Sequence, residues 1–490
     1  MNRTSLKLPA LSALCAALAL AGCANMAPDR NPLPQRDAAN VQLASDIKLA
    51  REGWPEAQWW TAYHDAQLNA LIQAALSGSP TLDVAAAHIG EALSAVQRSA
   101  ADLGLDVSAY ATANRQRYSA TGLFPAPIGG AYFSEQTLRL DARYNFDWWG
   151  KNKAQIAAAV GQVNAGRASY AQAEQALAAA IAQSYFRLQG AWSRQANLEQ
   201  MIAAQTALVQ DKARRIAHGL ATADEQRATE TELHLMQKQQ AQIAADIGRE
   251  HEALRALLGV DGGPSTTRQN DLVQHLQPLA VQPAPHALPA RLGLELLARR
   301  PDLQAARWQV EAALSKIDVA KAAFYPDVNL SASVGLDSIS YSRLLSAPSR
   351  TVFFGPTLTL PLFDNQRLSA ELESARSARN EVIADYNLAV VQAAQDVAQD
   401  AVQLQGLEQQ IARQQAATAS AAAQLHSAEA KLAAGLADNS GVLAARLALL
   451  KQQDMDLSLR QMQLLAEVAL TNALGGGYRD MGNPPQAGNN

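Results

Sequence analysis

The chain has 490 residues, of which 41 are Lys or Arg and 45 are Asp or Glu, giving a formal net charge of −4. This balance, without any block of basic residues, argues against a nucleic-acid partner. The only cysteines are Cys15 and Cys23, and Cys15 falls in a segment that is predicted to be removed. The mature protein is therefore expected to have neither a disulfide nor a thiolate metal site.

Residues 1–22 are predicted to be a secretory signal peptide. Basic residues precede an apolar run, 8–21, that is too short for an ordinary transmembrane helix. The run ends in LAGC (20–23), which resembles the lipobox of bacterial lipoproteins. This resemblance implies that Cys23 carries covalent lipid, palmitate included, and begins a lipid-anchored N-terminal segment, 23–62. An ordinary signal peptide with a chance cysteine is the alternative.

Two related copies of one unit follow. PTLDVAAAHIGEALSAVQ (80–97) aligns with PDLQAARWQVEAALSKID (301–318), and further along HGLATAD aligns with AGLADNS. An ordered series of matches favours a duplication over chance. The predicted organisation is repeat 1 at 63–262, a Pro- and Gly-rich connector at 263–292, repeat 2 at 293–478 and a disordered tail at 479–490, with loss of order expected from Gly475 onward.

Each copy shows the same predicted order: a helical stretch, a hairpin of two strands and two long helices. The helical stretches are 64–104 and 293–325, and the hairpins are about 106–148 and 327–363. The long helices are 150–217 and 223–258 in the first copy, and 364–433 and 439–474 in the second.

The stretch TLRLDARYNFDWW (137–149) alternates between polar and apolar residues. Such alternation is typical of a strand with one wet face and one apolar face. The other alternating segments, such as 106–116 and 327–337, have a similar length, close to the ~9–11 residues that a tilted strand needs to cross a bilayer. The alternative is a soluble sheet with its apolar face against helices.

Four strands are too few to close a barrel in a membrane. Unpaired backbone groups in hydrocarbon cost several kcal/mol each, and a closed barrel needs roughly eight strands or more. Several chains must therefore share one barrel, and three chains supply twelve strands.

The first long helical region has apolar residues spaced by sevens at Ile156, Val163, Tyr170 and Leu177. This spacing predicts coiled-coil packing. With a rise of ~1.5 Å per residue, a helix of this extent reaches on the order of 100 Å, which suits a structure that crosses a distance.

Several motifs carry a family resemblance. The lipobox is followed by WPEAQWWTAYHDAQLNALI (54–72), YNFDWWGKNKAQIAAA (144–159) and LPLFDNQR (360–367), and by the paired turns HGLATAD and AGLADNS. In this order they resemble the TolC-type outer-membrane efflux factors of the lipoprotein branch, the NodT/OprM-like group. The resemblance covers residues from about 11 to 478.

This resemblance implies a mainly α protein with transmembrane β: a homotrimeric outer-membrane efflux channel. Four strands per chain would form a shared 12-stranded β-barrel, joined to a long coiled-coil α-helical periplasmic tunnel. The implied partners are two further copies of the chain, outer-membrane lipid, a periplasmic adaptor (membrane fusion) protein and an inner-membrane pump of the resistance-nodulation-division or major-facilitator type. The implied function is passive exit of drugs or other small toxic compounds from a Gram-negative cell.

The strand alternation then assigns candidate residues to the barrel. Leu138, Leu140 and Tyr144 are expected to face lipid, with Trp148 and Trp149 at the membrane interface. The expected lumen residues are Arg139, Asp141, Arg143, Asn145 and Asn329.

The two helix turns are the candidate periplasmic tip and gate. Gly219 and Gly435 are expected to take the left-handed conformation that ends a helix. Asp224 and Asp438 are expected either to form a ring of negative charge at the mouth or to act as ordinary helix N-terminal charges. The leucine and acid that such efflux factors often carry after the second turn are replaced by Ser440 and Ala444, so the gating residues do not carry over.

No motif indicates catalysis. A Walker-type phosphate loop is missing from the sequence, and the eight histidines are scattered without metal-ligand spacing. An enzyme is therefore the weakest reading, and no metal or cofactor other than the lipid is expected. Two alternatives to drug efflux stay open: the outer-membrane duct of a type I protein secretion system, and a lipid-anchored coiled-coil scaffold without a channel.

Overall fold

The computed structural model describes residues 26–38, 58–261, 263, 266–280, 283, 299–361 and 363–478. The predicted signal peptide and Cys23, parts of the predicted connector (264–265, 281–282 and 284–292) and the predicted tail at 479–490 lie outside the described residues.

The described elements are mostly helical. The helices are α1 (Ala66–Gly78), α2 (Pro80–Ala101), α3 (Lys151–Ala217), α4 (Ala223–Leu257), α5 (Thr267–Gln274), α6 (Pro301–Ala322), α7 (Asn365–Ala433) and α8 (Asn439–Ala473). The strands are β1 (Leu105–Arg117), β2 (Tyr132–Asn145), β3 (Asp327–Ser338) and β4 (Arg350–Thr359). The order α2-β1-β2-α3-α4 thus recurs as α6-β3-β4-α7-α8. The boundaries of the two predicted repeats themselves stay a prediction.

The four long helices begin and end within one residue of the predicted positions, and the first predicted helical stretch, 64–104, contains two helices, α1 and α2. It breaks at Ser79, which has extended backbone, because Pro80 begins the next helix and proline suits a first helical position. Within α3, the heptad residues Val163 and Leu177 are buried, as coiled-coil packing requires.

Two strand ends also differ from the prediction. Strand β2 ends at Asn145 rather than near 149, because the Asp147 carboxylate accepts hydrogen bonds from the backbone N of Asn152 and Lys153 at 3.0 and 2.9 Å. This contact caps α3. Strand β4 ends before Pro361, which has no N–H to donate to a strand ladder.

One compact unit comprises residues 1–35, 88–166 and 306–386, as far as they are described. It contains an antiparallel sheet in the order β1-β2-β3-β4. The N-terminal segment 26–35 lies along α7, where Arg376 Nη2 donates to the backbone O of Ala27 at 2.7 Å. Arg379 forms an ion pair with Asp29. Both arginines are buried, so these contacts offset their desolvation.

The second unit comprises residues 36–87, 167–305 and 387–490, as far as they are described. Its core includes the fully buried Tyr185 and Phe186. Tyr185 donates from its hydroxyl to Asp65 Oδ2 at 2.6 Å. Asp65 also caps α1 by accepting from the backbone N of Gln67 at 2.8 Å. One carboxylate therefore connects the start of α1 to the middle of α3.

The glycine run after α8 is ordered, contrary to the sequence-based expectation. Gly475, Gly476 and Gly477 have positive φ angles and are buried. A Cβ on Gly476 would lie 2.1 Å from Gln175 Oε1. The run is therefore a turn that packs on α3, and its positive φ angles favour glycine.

Among the described helices, none has a stretch long and apolar enough to cross a membrane.

Candidate functional site

The strand register places all the predicted lumen residues on one face of the sheet. Asp141 pairs with Ser108 on β1 and with Ser333 on β3, and Asn145 pairs with Asn329. Odd positions of β2, β3 and β4 therefore share a face with even positions of β1. That face, here called the polar face, carries Arg139, Asp141, Arg143, Asn145 and Asn329.

The polar face carries an excess of negative charge. Its carboxylates belong to Asp106, Glu135, Asp141, Asp327 and Asp337, and its guanidinium groups belong to Arg139 and Arg143. Arg139 Nε lies 2.8 Å from Asp141 Oδ1, and its guanidinium carbon lies 5.4 Å from the centre of the Tyr110 ring. The acids at 106, 135, 327 and 337 were not among the predicted lumen residues, although the same alternation, extended along each strand, places them on this face.

The opposite face, here called the apolar face, remains exposed in the described chain. Leu140 is 51% exposed, Val352 79% and Phe354 71%. A soluble monomer rarely exposes so large a contiguous apolar area. The alternative of a soluble sheet covered by helices is therefore wrong, and the apolar face requires an apolar surrounding.

Aromatic side chains mark the end of the sheet next to the helices. Trp149 donates from Nε1 to the backbone O of Pro326 at 2.7 Å and stacks on Tyr325 with ring centres 4.6 Å apart. Trp148 remains 65% exposed. This position, just after β2, matches the interface position expected from the sequence.

The turns between the long helices have the expected glycine conformation. Gly219 and Gly435 both have φ of 69°, and a Cβ on either would meet nothing within 4 Å. The residue after each glycine donates its backbone N–H back to the helix, from Leu220 to Arg215 O and from Leu436 to Lys431 O, both at 2.8 Å. These bonds satisfy orphan carbonyls at the helix end. The role of the turns as tip and gate stays a prediction.

Asp438 is a helix cap with a partner that the sequence did not reveal. Its Oδ1 accepts from the backbone N of Gly441 at 3.1 Å and from Ser440 Oγ at 2.7 Å. Its Oδ2 forms an ion pair with Arg215. The Ser440 hydroxyl, followed by the Arg215 guanidinium and the Gly441 amide, lowers the pKa of Asp438 to about 2.

The Arg215 contact favours the second alternative for Asp438, an ordinary charge at a helix N-terminus, because the positive charge of Arg215 offsets that of Asp438. The ring of charge at the mouth stays a prediction. Ser440, which departs from the family pattern, supplies a hydroxyl to the same cluster. Asp224 lies in the first turn of α4, where its carboxylate is 3.0 Å from Arg227 Nη1 and 90% exposed. Both acids are therefore paired with an arginine, and Asp224 is the more exposed of the two.

Within the described residues, no group of His, Cys, Asp and Glu side chains could hold a metal ion. Cys23 lies outside these residues, so its lipidation stays a prediction.

The geometry so far is that of a membrane-embedded sheet attached to long helical hairpins. The profile of the family described as "Outer membrane efflux protein" matches residues 71–260 and 292–476. Multidrug resistance outer membrane protein MdtP of Escherichia coli (strain K12) is 36% identical over 489 residues, with 98% of each chain covered. MdtQ of Escherichia coli O157:H7 is 36% identical over 488 residues, covering 98% of this chain and all of MdtQ.

Among solved structures, the outer membrane protein VceC of Vibrio cholerae aligns with a TM-score of 0.77 and 31% identity. The match covers 87% of this chain and 100% of VceC. The fold is that of a homotrimeric outer-membrane efflux channel, to which each chain contributes four strands and long helices. The chain belongs to the outer membrane efflux protein family. It is thus a transport component of the outer membrane rather than an enzyme.

We expect a lysine to lower the stability of the assembled protein on the apolar face of β2 and to have little effect on the polar face. Leu140→Lys places a charge on the apolar face and should destabilise the assembled protein by ~2–4 kcal/mol per copy. Asp141→Lys changes only the polar face and should leave stability nearly unchanged. Urea unfolding of each variant in lipid vesicles measures the difference, and equal losses would contradict the assignment of the two faces.

The Asp438–Arg215 pair should make the helix turn sensitive to acid. Because the pKa of Asp438 is lowered in the folded chain, its stabilising contribution is present above pH ~4 and is lost as the pH falls toward 2. Asp438→Asn should weaken the turn at pH 7 by the ~0.2–1 kcal/mol typical of an exposed ion pair, and match the wild type at pH ~1, below the folded and unfolded pKa values of Asp438.

Hydrogen exchange of the 434–441 backbone at the two pH values measures this difference. Arg215→Gln is the matched control, and the double variant should lose no more than the larger single variant. Additive losses would show that the two side chains act independently.

Proposed function

We propose that this protein is the outer-membrane exit channel of a tripartite efflux pump, which passively conducts drugs or other small toxic compounds to the exterior. The observation that carries the proposal is the full-length similarity to relatives named multidrug resistance outer membrane proteins. A type I secretion duct uses the same architecture, but no described residue specifically favours it.

In this proposal the polar face lines a water-filled lumen, and the chain performs no chemistry on the cargo. Carboxylates outnumber guanidinium groups on that face, which favours cationic over anionic solutes. The driving energy comes from an inner-membrane pump of the resistance-nodulation-division or major-facilitator type.

The turns at Gly219 and Gly435 are the proposed docking site for a periplasmic adaptor. Each glycine is followed by an exposed leucine, Leu220 at 67% and Leu436 at 79% exposure. Exposed leucines at adjacent turns offer apolar anchors, which protein interfaces commonly use at their centre.

Lipidation of Cys23 is the proposed anchor at the N-terminus. Met26, three residues further on, packs against the cluster that includes Phe324 and Leu372, and Phe324 lies three residues before β3. One lipidated residue anchors only modestly, so the strands supply most of the membrane attachment.

Cys23→Ser should abolish metabolic labelling with palmitate and weaken membrane retention only partly. The trimer should still insert, because the apolar face remains unchanged. Fractionation and a heat-modifiable trimer on a gel measure the two effects. An unlabelled wild-type protein would contradict the lipoprotein proposal.

Valines at both Gly219 and Gly435 should abolish drug resistance while the trimer amount in the outer membrane stays unchanged. A β-branched residue at positive φ is strained by roughly 1–2 kcal/mol, so each turn should rearrange and the docking surface should be lost. Minimum inhibitory concentrations in a strain that lacks the native channel measure the effect.

The matched control is Gly248→Val with Gly406→Val. Both glycines lie in the same helix pairs, and a Cβ there would likewise meet nothing within 4 Å, but their φ angles are not positive. This control should retain resistance. Full resistance in the Gly219 and Gly435 variant would rule out these turns as the docking site, and unchanged single-channel conductance would separate lost docking from a lost channel.

A further inference from the structure

Three arginines lie at one end of the apolar face. Arg115 and Arg117 are among the last residues of β1, where they pair with Ser134 and Tyr132 of β2. Arg350 is the first residue of β4 and pairs with Leu336 of β3. The register puts all three on the same face as Leu138 and Leu140, at the ends of the strands that carry the hairpin loops.

The apolar face carries no acid to pair with these arginines within the described strands. Its members are odd positions of β1 and even positions of β2, β3 and β4, and every carboxylate of the four strands falls on the polar face. The three arginines are exposed, and none forms an ion pair with a described residue. A charge on a lipid-facing surface is costly except near the headgroups, so this basic group marks a headgroup level.

A tyrosine orients two of the three side chains. The guanidinium carbons of Arg115 and Arg117 lie 5.4 and 5.9 Å from the centre of the Tyr132 ring, and Arg117 Nε donates to the backbone O of Gly130 at 3.3 Å. These contacts hold the charges at the loop end, but they leave most of the guanidinium N–H groups without an acceptor.

The two ends of the apolar face thus differ in chemistry. The end next to the helices carries the aromatic residues Tyr144, Trp148 and Trp149, and the loop end carries arginine. Since the helices of this family lie on the periplasmic side, the loop end reaches the outer leaflet.

The edge strands bring the arginines together in the assembled channel. The order β1-β2-β3-β4 leaves β1 and β4 as the edges, so closure of the barrel places the first strand of one chain beside the last strand of its neighbour. The loop ends of β1 and β4 then meet at each seam. Each seam therefore collects two guanidinium groups from one chain and one from the next.

We propose that each seam of the barrel binds the phosphate groups of an anionic glycolipid in the outer leaflet. Guanidinium groups match phosphate geometry with paired N–H donors, and three of them suit a headgroup that carries more than one phosphate. The adjoining apolar face receives the acyl chains. This inference rests on the outer-membrane location of the family and is independent of the cargo.

The test uses the intact trimer in nanodiscs of phosphatidylcholine to which lipid A, a glycolipid with two phosphates, is added. The variant is Arg115→Gln with Arg117→Gln and Arg350→Gln. Near a membrane surface each arginine is worth about a fivefold change in affinity, so the triple variant should bind lipid A about 100-fold more weakly. Native mass spectrometry of the extracted trimer counts the retained lipid.

The matched control is Arg249→Gln with Arg255→Gln and Arg460→Gln, which removes the same charge from helices α4 and α8. This control should retain lipid A like the wild type, and fully dephosphorylated lipid A should bind all three proteins equally weakly. Equal retention of lipid A by the wild type and the strand variant would overturn the proposal, as would an equal loss in the control. Unchanged channel conductance in the strand variant would confirm that the barrel itself is intact.

Discussion

Strands β1 and β4 each have one edge without a partner in the chain, because the sheet has the order β1-β2-β3-β4. An unpaired backbone N–H or C=O in hydrocarbon costs several kcal/mol, so an open four-stranded sheet is not stable in a membrane. At the same time, the exposed apolar face is not stable in water. Both conditions are met only when copies of the chain join edge to edge. Trimerisation is therefore a requirement of the sheet rather than an addition to a finished fold.

The two faces of this sheet separate the chemistry of the protein. Acids are confined to the polar face, where an aqueous lumen can hydrate them. The apolar face is aliphatic in its middle, aromatic at the helix end and basic at the loop end. In a strand, the face on which a side chain lies depends only on whether its position is odd or even. A shift of one residue in the register would move Asp141 to the apolar face and Leu140 to the polar face, and this large penalty fixes the register.

In the helical parts, three arginines bind carboxylate or carbonyl groups of the same chain. Arg376 and Arg379 are buried and bind the N-terminal segment, while Arg215 binds Asp438 across two helix turns. Asp400 differs from these arginines, because burial, followed by the nearby Asp396, disfavours its charge and raises its pKa to about 6. Ionisation of Asp400 above that pH therefore costs stability, and protonation relieves it as the pH falls toward 4. The contacts of Arg376, Arg379 and Arg215 join segments that are far apart in sequence.

The sequence by itself determined the periodic features. The alternation around Arg139 and Asp141 predicted two-faced strands, and Gly219 and Gly435 correctly predicted left-handed helix ends, because these signals depend on neighbours a few residues away. Local signals also set the ends of the long helices almost to the residue. The tertiary structure alone decided the partners, Arg215 for Asp438 and α3 for Gly476, and placed Arg115 and Arg350 on one face of the sheet at its loop end. These pairings depend on which distant segments pack together, and the pattern of residues along a single sequence does not show which segments those are.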